Sequence, residues 1–195
     1  MNPPLYIDLI TSPLGVLLLA HCGGYLCALD FQDYEARFRQ MLARRFGNLT
    51  LEQRTAPDNI RAPLDAYLSG SDIAAVDEIP VHATGTRLQQ QLWRALRRIP
   101  AGRMLSFADL ARSIGQPVRE VEQASTRNPI AIIVPCHRLV GNDGGLAVYV
   151  GGLARKRWLL AHEGVLAADA ADAGDATPAA LLPLAAPEAL PALGR

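Results

Sequence analysis

The chain has 195 residues, half of them apolar, and its 19 basic and 19 acidic side chains leave no net charge, which predicts a packed globular protein. No run of about 18 uncharged apolar residues occurs, and the N-terminus lacks the basic and apolar regions of a secretory signal, so we expect no membrane span. The three cysteines are odd in number and lack the spacing of a disulfide framework, which favours a reducing, cytoplasmic location.

Residues 1–83 predict a small α+β domain with one sheet and two helices. Apolar runs within residues 5–31 are interrupted by Ser-Pro-Leu-Gly and by Gly-Gly, a pattern typical of a β-meander. Apolar residues at helical spacing then predict helices at 34–47 and 59–70. The order of a sheet followed by helices is what a small α+β domain requires.

Residues 84–166 predict a second, mostly helical domain. Apolar residues at helical spacing predict a helix at 86–99, and Ser106 begins another at 106–115 as its N-cap. A shorter helix at 118–126 follows a turn that contains glycine, and the two together are typical of a helix-turn-helix. The predicted fold class is therefore α+β: a small N-terminal sheet-and-helix domain, then a mostly helical, winged-helix-like domain with a helix-turn-helix.

Positive charge is concentrated in this second domain. Residues 84–166 carry 12 Lys and Arg against 5 Asp and Glu, a net charge of +7, whereas residues 1–83 carry 6 against 10, a net charge of −4. The basic segment fits a surface that faces a polyanion and an arginine-rich solvated face equally well. For the Arg-Lys-Arg run at 155–157, within a last predicted helix at 154–164, a solvated face is the default. Residues 167–195 are rich in Ala and Pro without an aromatic side chain, and predict a mostly disordered tail.

The segment NPIAIIVPCHRLVG, residues 128–141, runs from a predicted buried strand at 130–134 into Cys136 and His137. A cysteine acts as a nucleophile only as the thiolate, so it needs a base or a positive environment that lowers its pKa. Adjacent side chains of an extended chain diverge, so we expect a water between the thiol and His137 rather than a direct contact. Glu163, at the end of the last helix, is a candidate to orient that base. A lone cysteine is more often an inert buried thiol, so the surrounding pattern must decide between the two interpretations.

That surrounding pattern, NPIAIIVPCHRLVG followed by Y-x-GG-x-x-x-K-x-x-LL-x-x-EG, resembles the active-site signature of the methylated-DNA–protein-cysteine methyltransferases, also called alkylguanine-DNA alkyltransferases. The resemblance covers residues 84–166 closely, and SPLG near the N-terminus more loosely. It implies DNA repair by irreversible, single-turnover transfer of a methyl or other alkyl group from 6-O-alkylguanine in double-stranded DNA to Cys136. Such a transfer requires neither a metal nor an organic cofactor, and a stoichiometric repair protein has no need to be more than a monomer.

The resemblance implies roles for further residues. His137 matches the base that draws the thiol proton through a water, and Glu163 matches the acid that orients this histidine. Asn128 matches the asparagine that ties the helix-turn-helix to the active-site turn. Tyr149 matches the tyrosine of the pocket loop, and Arg119 matches the arginine that enters the base stack as the damaged nucleotide flips out.

Several positions depart from the family pattern. Phe107 stands where the family has a tyrosine that donates a hydrogen bond to guanine, so one source of leaving-group stabilisation is missing. Glu120 and Glu122 follow the arginine of the recognition helix, where small residues are usual, and would repel phosphates. Val148 and Val150 flank the pocket tyrosine and would narrow the base pocket or make it more apolar. The residues predicted to bind DNA or substrate are Arg119, Asn128, Phe107, Arg138, Val148, Tyr149 and Val150.

These departures leave alternatives open: an alkyl- or benzyl-accepting homologue with weakened DNA binding, and a binder of alkylated DNA that does not repair it. Cys136 argues against the second, because such relatives usually lack the cysteine. A helix-turn-helix regulator without chemistry would need neither His137 nor Glu163. Cys22 and Cys27 form a C-x4-C pair and some relatives hold zinc in this domain, but apolar strand positions explain both cysteines, so no metal site is predicted.

Overall fold

The computed structural model describes residues 4–47 and 51–166, and the chain divides into two compact units between Ala83 and Thr84. We call residues 4–83 the N-terminal unit and residues 84–166 the C-terminal unit. The predicted α+β fold class is confirmed, whereas the predicted tail lies outside the described residues. Within those residues no helix has the length and apolarity that a membrane crossing demands.

The N-terminal unit is built on a four-stranded sheet in the order β3-β2-β1-β4. Its first three strands form the predicted antiparallel meander, and a short fourth strand pairs parallel with β1. The turn between β2 and β3 needs Gly23 and Gly24, because both have positive φ, at 54° and 82°. The strands are β1 (Tyr6–Ser12), β2 (Gly15–Cys22), β3 (Tyr25–Phe31) and β4 (Glu52–Gln53).

Both predicted helices of the N-terminal unit are present, as α1 (Glu35–Phe46) and α2 (Asp58–Ser69). Phe38 and Leu42 of α1 are buried in one apolar cluster with side chains of all three long strands. Cys27 belongs to the same cluster, in the apolar strand position that its sequence context predicted, and burial raises the pKa of its thiol to about 11. Such a thiol stays protonated and packs as a small apolar side chain.

The C-terminal unit contains the predicted helix-turn-helix, formed by α4 and α5. The Ser106 hydroxyl caps α4 by accepting a hydrogen bond from the Asp109 backbone N–H at 3.0 Å, and Gly115 has a φ of 64° in the turn before α5. The short strands β5 and β6 pair in parallel. The elements are α3 (Arg87–Leu96), β5 (Leu105–Ser106), α4 (Phe107–Ser113), α5 (Val118–Ser125), β6 (Leu139–Val140) and α6 (Leu153–His162).

The prediction of an extended strand at 130–134 is wrong, because this segment is a succession of tight turns. Ile132 is the one non-glycine residue of the described chain with a positive φ, 70°, and the N–H of Ile133 donates to the Ala131 carbonyl across it at 2.8 Å. A β-branched residue in this region of φ is strained. The continuous apolar run correctly indicated burial, but burial alone does not separate a strand from a turn whose backbone groups are satisfied locally.

Candidate active site

Cys136 begins a single 3-10 turn, Cys136–Arg138, directly after the tight turns of the apolar run. Its backbone N–H donates to the carbonyl of Val134 at 2.8 Å, and the N–H of Arg138 donates to the carbonyl of Pro135 at 3.0 Å. Only 5% of the cysteine is exposed. The sulfur is therefore held by a fixed backbone at the edge of a closely packed region, where surrounding dipoles act on it more strongly than in water.

Asn128 joins the two ends of this segment through its side-chain amide. Its Nδ2 donates to the Val134 carbonyl at 2.7 Å and lies 3.1 Å from Sγ of Cys136, while its Oδ1 accepts from the N–H of Ile130 at 3.1 Å. One amide therefore fixes the geometry of the turn and directs an N–H at the sulfur. A hydrogen bond donated to sulfur favours the thiolate over the thiol.

His137 is completely buried beside the cysteine, and one of its ring nitrogens is held by Glu163. Nε2 lies 2.9 Å from Oε1 of Glu163, and because an ionised carboxylate only accepts, Nε2 must carry the proton. Nδ1 has no hydrogen-bond partner from the described protein. Burial lowers the pKa of His137, although the hydrogen bond and charge of Glu163 oppose this shift. The neutral ring therefore keeps the lone pair of Nδ1 available to accept a proton.

Glu163 is the ionised member of the cluster. Burial alone would raise its pKa, but hydrogen bonds from His137 and Arg138, together with the nearby positive charge, lower it to about 2. Arg138 engages both carboxylate oxygens, with Nη2 at 2.9 Å from Oε1 and Nε at 2.9 Å from Oε2. This two-point contact fixes the plane of the carboxylate, and through it the orientation of the histidine ring.

Arg138 was expected among the residues that bind DNA or substrate, yet the structure places it in the interior with 1% of its area exposed. Its guanidinium contacts Glu163 on one side and donates to the backbone carbonyl of Ile99 on the other. An arginine occupied in this way has no surface to offer to a phosphate. Sequence alone does not show that its carboxylate partner lies 25 residues further on.

Lys156 corrects the expectation that the run at 155–157 is solvated, because its side chain is fully buried. Its Nζ donates to the backbone carbonyls of Leu139, at 2.5 Å, and Ala147, at 2.8 Å. Burial lowers its pKa to about 8, and negative charge on Cys136 raises it. The ammonium thus ties β6 to the start of the pocket loop. A signal was present in the sequence: Lys156 precedes Glu163 by seven residues, which puts both on one face of α6.

The pocket-loop residues 148–150 differ strongly in exposure. Tyr149 is 5% exposed, and its ring meets that of His137 edge-on, with centroids 6.1 Å apart. Val148 is 79% exposed, whereas Val150 is half-buried. The loop therefore directs its tyrosine toward the buried cluster and presents an apolar side chain to solvent.

The helix-turn-helix residues from the prediction differ from one another in burial. Phe107, at the start of α4, is 6% exposed. Arg119, Glu120 and Glu122 are exposed on α5, whose buried residues are Val121, Ala124 and Ser125. The predicted residues that make contact with one another are thus Cys136, His137, Glu163, Asn128, Arg138 and Tyr149, while the α5 residues and Val148 face solvent.

Comparison with known proteins matches both units to one family. Residues 87–165 match the DNA-binding domain of 6-O-methylguanine DNA methyltransferase, and residues 5–82 match its ribonuclease-like domain. The methylated-DNA–protein-cysteine methyltransferase of Salmonella typhimurium is 37% identical over 162 residues, which cover 80% of this chain and 94% of that protein. The Mycobacterium leprae protein of the same name is 40% identical over 156 residues, covering 78% and 88%. A crystal structure of Mycobacterium tuberculosis OGT in complex with DNA has a TM-score of 0.68 and 36% identity, covering 82% of this chain and 93% of that one.

A helix-turn-helix unit that holds a buried cysteine, histidine and carboxylate, preceded by a ribonuclease-like domain, defines the class of DNA alkyltransferases. The chain belongs to the methylated-DNA–protein-cysteine methyltransferase family. It is an enzyme of DNA repair that removes alkyl groups from 6-O-alkylguanine, and DNA is its partner. The alternatives of a benzyl-accepting homologue with weak DNA binding and of a non-repairing binder are not favoured by these comparisons.

Proposed function

We propose that Cys136 is the acceptor, and that each molecule acts once, as a monomer, on 6-O-alkylguanine in double-stranded DNA. The observation that carries this proposal is the arrangement around the sulfur. Asn128 directs an N–H at Sγ from 3.1 Å, and the adjacent His137 is held by Glu163 with its second nitrogen left for proton transfer. A donor, a base and an orienting acid are what an activated cysteine nucleophile requires.

In the proposed reaction, Nδ1 of His137 takes the thiol proton through a water. The Cys136 thiolate attacks the alkyl carbon, so that a carbon–sulfur bond forms as the bond from carbon to the 6-oxygen breaks. The electron pair of the broken bond goes to the guanine, which gains one proton and so balances the proton lost by the thiol. The Glu163 carboxylate stabilises the imidazolium formed in the first step. The reaction balances without a metal or an organic cofactor.

Two buried cations position these groups. Arg138 fixes the Glu163 carboxylate through both oxygens, and Lys156 holds β6 and the pocket loop through two carbonyls. The positive charge of Lys156 also favours the thiolate of Cys136, the same interaction that raises the pKa of the ammonium. Neither cation is placed to touch DNA, so we assign both to positioning.

On the DNA side, the target base must leave the duplex before its alkyl group can meet Cys136, at a cost of a few kcal/mol. We propose that Arg119, exposed on α5, enters the space that the base vacates. Tyr149 and the two valines beside it would line the pocket that receives the base. Phe107 has no hydroxyl to donate to the departing guanine, so we expect slower transfer than a tyrosine at this position would allow.

We also propose the division of the chain into an N-terminal domain at 1–83, an alkyltransferase domain at 84–166 and a tail at 167–195. The second domain holds every residue to which we assign chemistry or DNA contact. We expect the protein to act in the cytoplasm. The predicted reaction is stoichiometric, and all the groups it needs come from one chain, which is why a monomer suffices.

The test is the mass of the intact protein after incubation with a duplex that carries one 6-O-methylguanine, and separately with free 6-O-benzylguanine. We expect a gain of one methyl group from the duplex and of one benzyl group from the free base, both absent in Cys136→Ala. Benzyl transfer without methyl transfer would overturn the proposal that the protein repairs duplex DNA. The assignment of Cys136 as the nucleophile would remain. A methyl adduct that persists in Cys136→Ala would overturn the assignment of the acceptor.

A further inference from the structure

Helix α3 has one buried face and one arginine-rich face. Its buried residues are Leu92, Trp93 and Leu96. On the opposite side Arg87 and Arg94 are exposed, and since seven residues make about two turns they lie above one another along the helix. Arg98, exposed just after the helix ends, continues the row. We call Arg87, Arg94 and Arg98 the α3 arginine face.

This face is positive without local compensation. Residues 84–103 contain five arginines and no aspartate or glutamate. No ion pair from the described residues reaches the three arginines of the α3 arginine face. Arg94 and Arg98 are four residues apart, with Arg98 just beyond the end of α3, and like charges this near to each other repel weakly. A row of cations kept under mutual repulsion fits a polyanionic partner better than it fits the stability of the unit.

The α3 arginine face borders the helix-turn-helix. Gln91 lies about 40° around α3 from Arg87, by the helical repeat. Its side chain donates to the carbonyl of Ile114 at 2.8 Å and accepts from Nε2 of Gln116 at 3.5 Å. Both partners belong to the turn that connects α4 and α5. Gln91 therefore joins α3, beside its arginine face, to the turn before the recognition helix, within the same compact unit.

The recognition helix itself is a poor source of electrostatic attraction. Its exposed charges are Arg119, Glu120 and Glu122, which sum to −1. Much of the affinity of any protein for duplex DNA comes from cations that neutralise phosphates, so that attraction has to come from another surface. The α3 arginine face, which borders the helix-turn-helix through Gln91, has the charge to provide it.

We propose that the α3 arginine face binds the phosphate backbone of double-stranded DNA and supplies the sequence-independent affinity that the acidic recognition helix does not. The proposal rests on the proposed function in taking duplex DNA as the substrate. From Arg87 to Arg98 the row spans about 16 Å of helix axis. Duplex DNA carries one negative charge per about 1.7 Å of its axis, so three guanidinium groups over this length meet several phosphates.

The salt dependence of binding to an unmodified duplex tests this proposal. Each neutralised phosphate contributes about 0.9 to the slope of log K against log salt concentration. We therefore expect Arg87→Gln/Arg94→Gln to lower the magnitude of that slope by about 1.8 and to weaken binding about tenfold or more at low salt. The matched control is Arg44→Gln/Arg54→Gln, which removes two exposed arginines from the N-terminal unit and changes the net charge equally. It should leave the slope unchanged.

A second variant separates charge from side-chain shape. Arg87→Lys/Arg94→Lys keeps both cations and should keep the slope of the unchanged protein within about 0.3. Equal slopes in the Gln variant and the unchanged protein would overturn the proposal, and so would equal losses in the Gln variant and its control. A loss of slope in the Lys variant as large as in the Gln variant would also overturn it.

Transfer from free 6-O-benzylguanine distinguishes this proposal from the proposed function. The free base carries no phosphate, so its reaction with Cys136 should proceed at the same rate in all these variants. Absence of any benzyl adduct in the unchanged protein would count against the nucleophile, whereas the binding slopes would still report on the α3 arginine face. Selective loss of benzyl transfer in the α3 variants would assign these arginines to the active site and overturn a role restricted to phosphate binding.

Discussion

Two helices of the C-terminal unit carry charge in opposite settings. Lys156 on α6 and Glu163 directly after its last residue are both buried, and each is held by at least two hydrogen bonds. On α5, Arg119, Glu120 and Glu122 are exposed. A buried charge is stable only when every partner is in place, so the α6 charges can be changed only together with their surroundings. The α5 charges are exposed and carry no such restriction, so substitutions there should be tolerated without a compensating change.

The largest effect should follow from Glu163→Gln, which keeps the shape of the side chain and removes its charge. Arg138 would then be a buried cation without its counter-ion, a change that typically costs about 3–5 kcal/mol of the free energy of unfolding. Alkyl transfer should slow as well, because the imidazolium of His137 loses its carboxylate. Urea unfolding and single-turnover transfer to 6-O-benzylguanine measure the two effects separately.

The double variant Glu163→Gln/Arg138→Met separates stability from chemistry. Removing both members of the ion pair should restore most of the lost stability, because no unpaired charge remains, yet transfer should stay slow. If Glu163→Gln alone leaves the free energy of unfolding within about 1 kcal/mol of the unchanged protein, the buried cluster does not depend on its ion pair. The buried charges would then be no more dependent on their partners than the exposed charges of α5.

The next effect concerns the pH dependence of stability that Lys156 causes. Its pKa is lowered from 10.5 to about 8 in the folded chain, so between these values the unfolded chain binds the proton and the folded chain does not. The free energy of unfolding should therefore rise with pH across this window, by at most about 1.4 kcal/mol per pH unit from this group. Cys136 is the titratable group that opposes the shift.

Lys156→Met removes this titration and is the comparison that isolates it. In denaturant unfolding of both proteins at pH 7.5, 8.5 and 9.5, the free energy of unfolding of the unchanged protein minus that of Lys156→Met should increase steadily as the pH rises, because only the unchanged protein gains stability from losing that proton. The same pH dependence in both proteins would mean that the ammonium is not buried in solution.

The sequence predicted most of the elements because their signals are local. The glycine turns of the meander, the Ser106 cap and the apolar spacing of the helices all act within a few residues. The turns at 130–134 could not be predicted, since a continuous apolar run indicates burial without a period. The interior positions of Arg138 and Lys156 depend on partners 9 to 39 residues away in sequence, including backbone carbonyls that carry no sequence signal. Cys136, His137 and Glu163 were candidates from their residue types, and the family resemblance is what favoured this set over an inert buried thiol.

A smaller effect is expected in the pH dependence of transfer. Burial lowers the pKa of His137 from its ordinary value near 6.5, so the neutral ring should persist as the pH falls from 8 to 6.5. The single-turnover rate with 6-O-benzylguanine should therefore be constant over that range, apart from any contribution of the thiol itself, and should decline only below it. A midpoint on the acid side at or above pH 6.5 would contradict a desolvated histidine as the base.

The smallest effect should come from the exposed charges of α5. Replacing Glu120 and Glu122 by glutamine removes two carboxylates that would face phosphates, and we expect binding to an unmodified duplex to tighten by about 3- to 10-fold at 50 mM salt. The gain should shrink at 200 mM salt, because the Debye length is already down to about 8 Å at 0.15 M and decreases further above it. The control is Glu52→Gln/Glu78→Gln, which removes two exposed acids of the N-terminal unit, changes the net charge equally and should leave the affinity unchanged.

A tightening of the same size in both double variants would trace the effect to net charge, and α5 would no longer differ from any other exposed surface. A gain confined to the α5 variant would mean that the recognition helix lies against the duplex despite its carboxylates, with the remaining attraction supplied by arginines elsewhere in the unit.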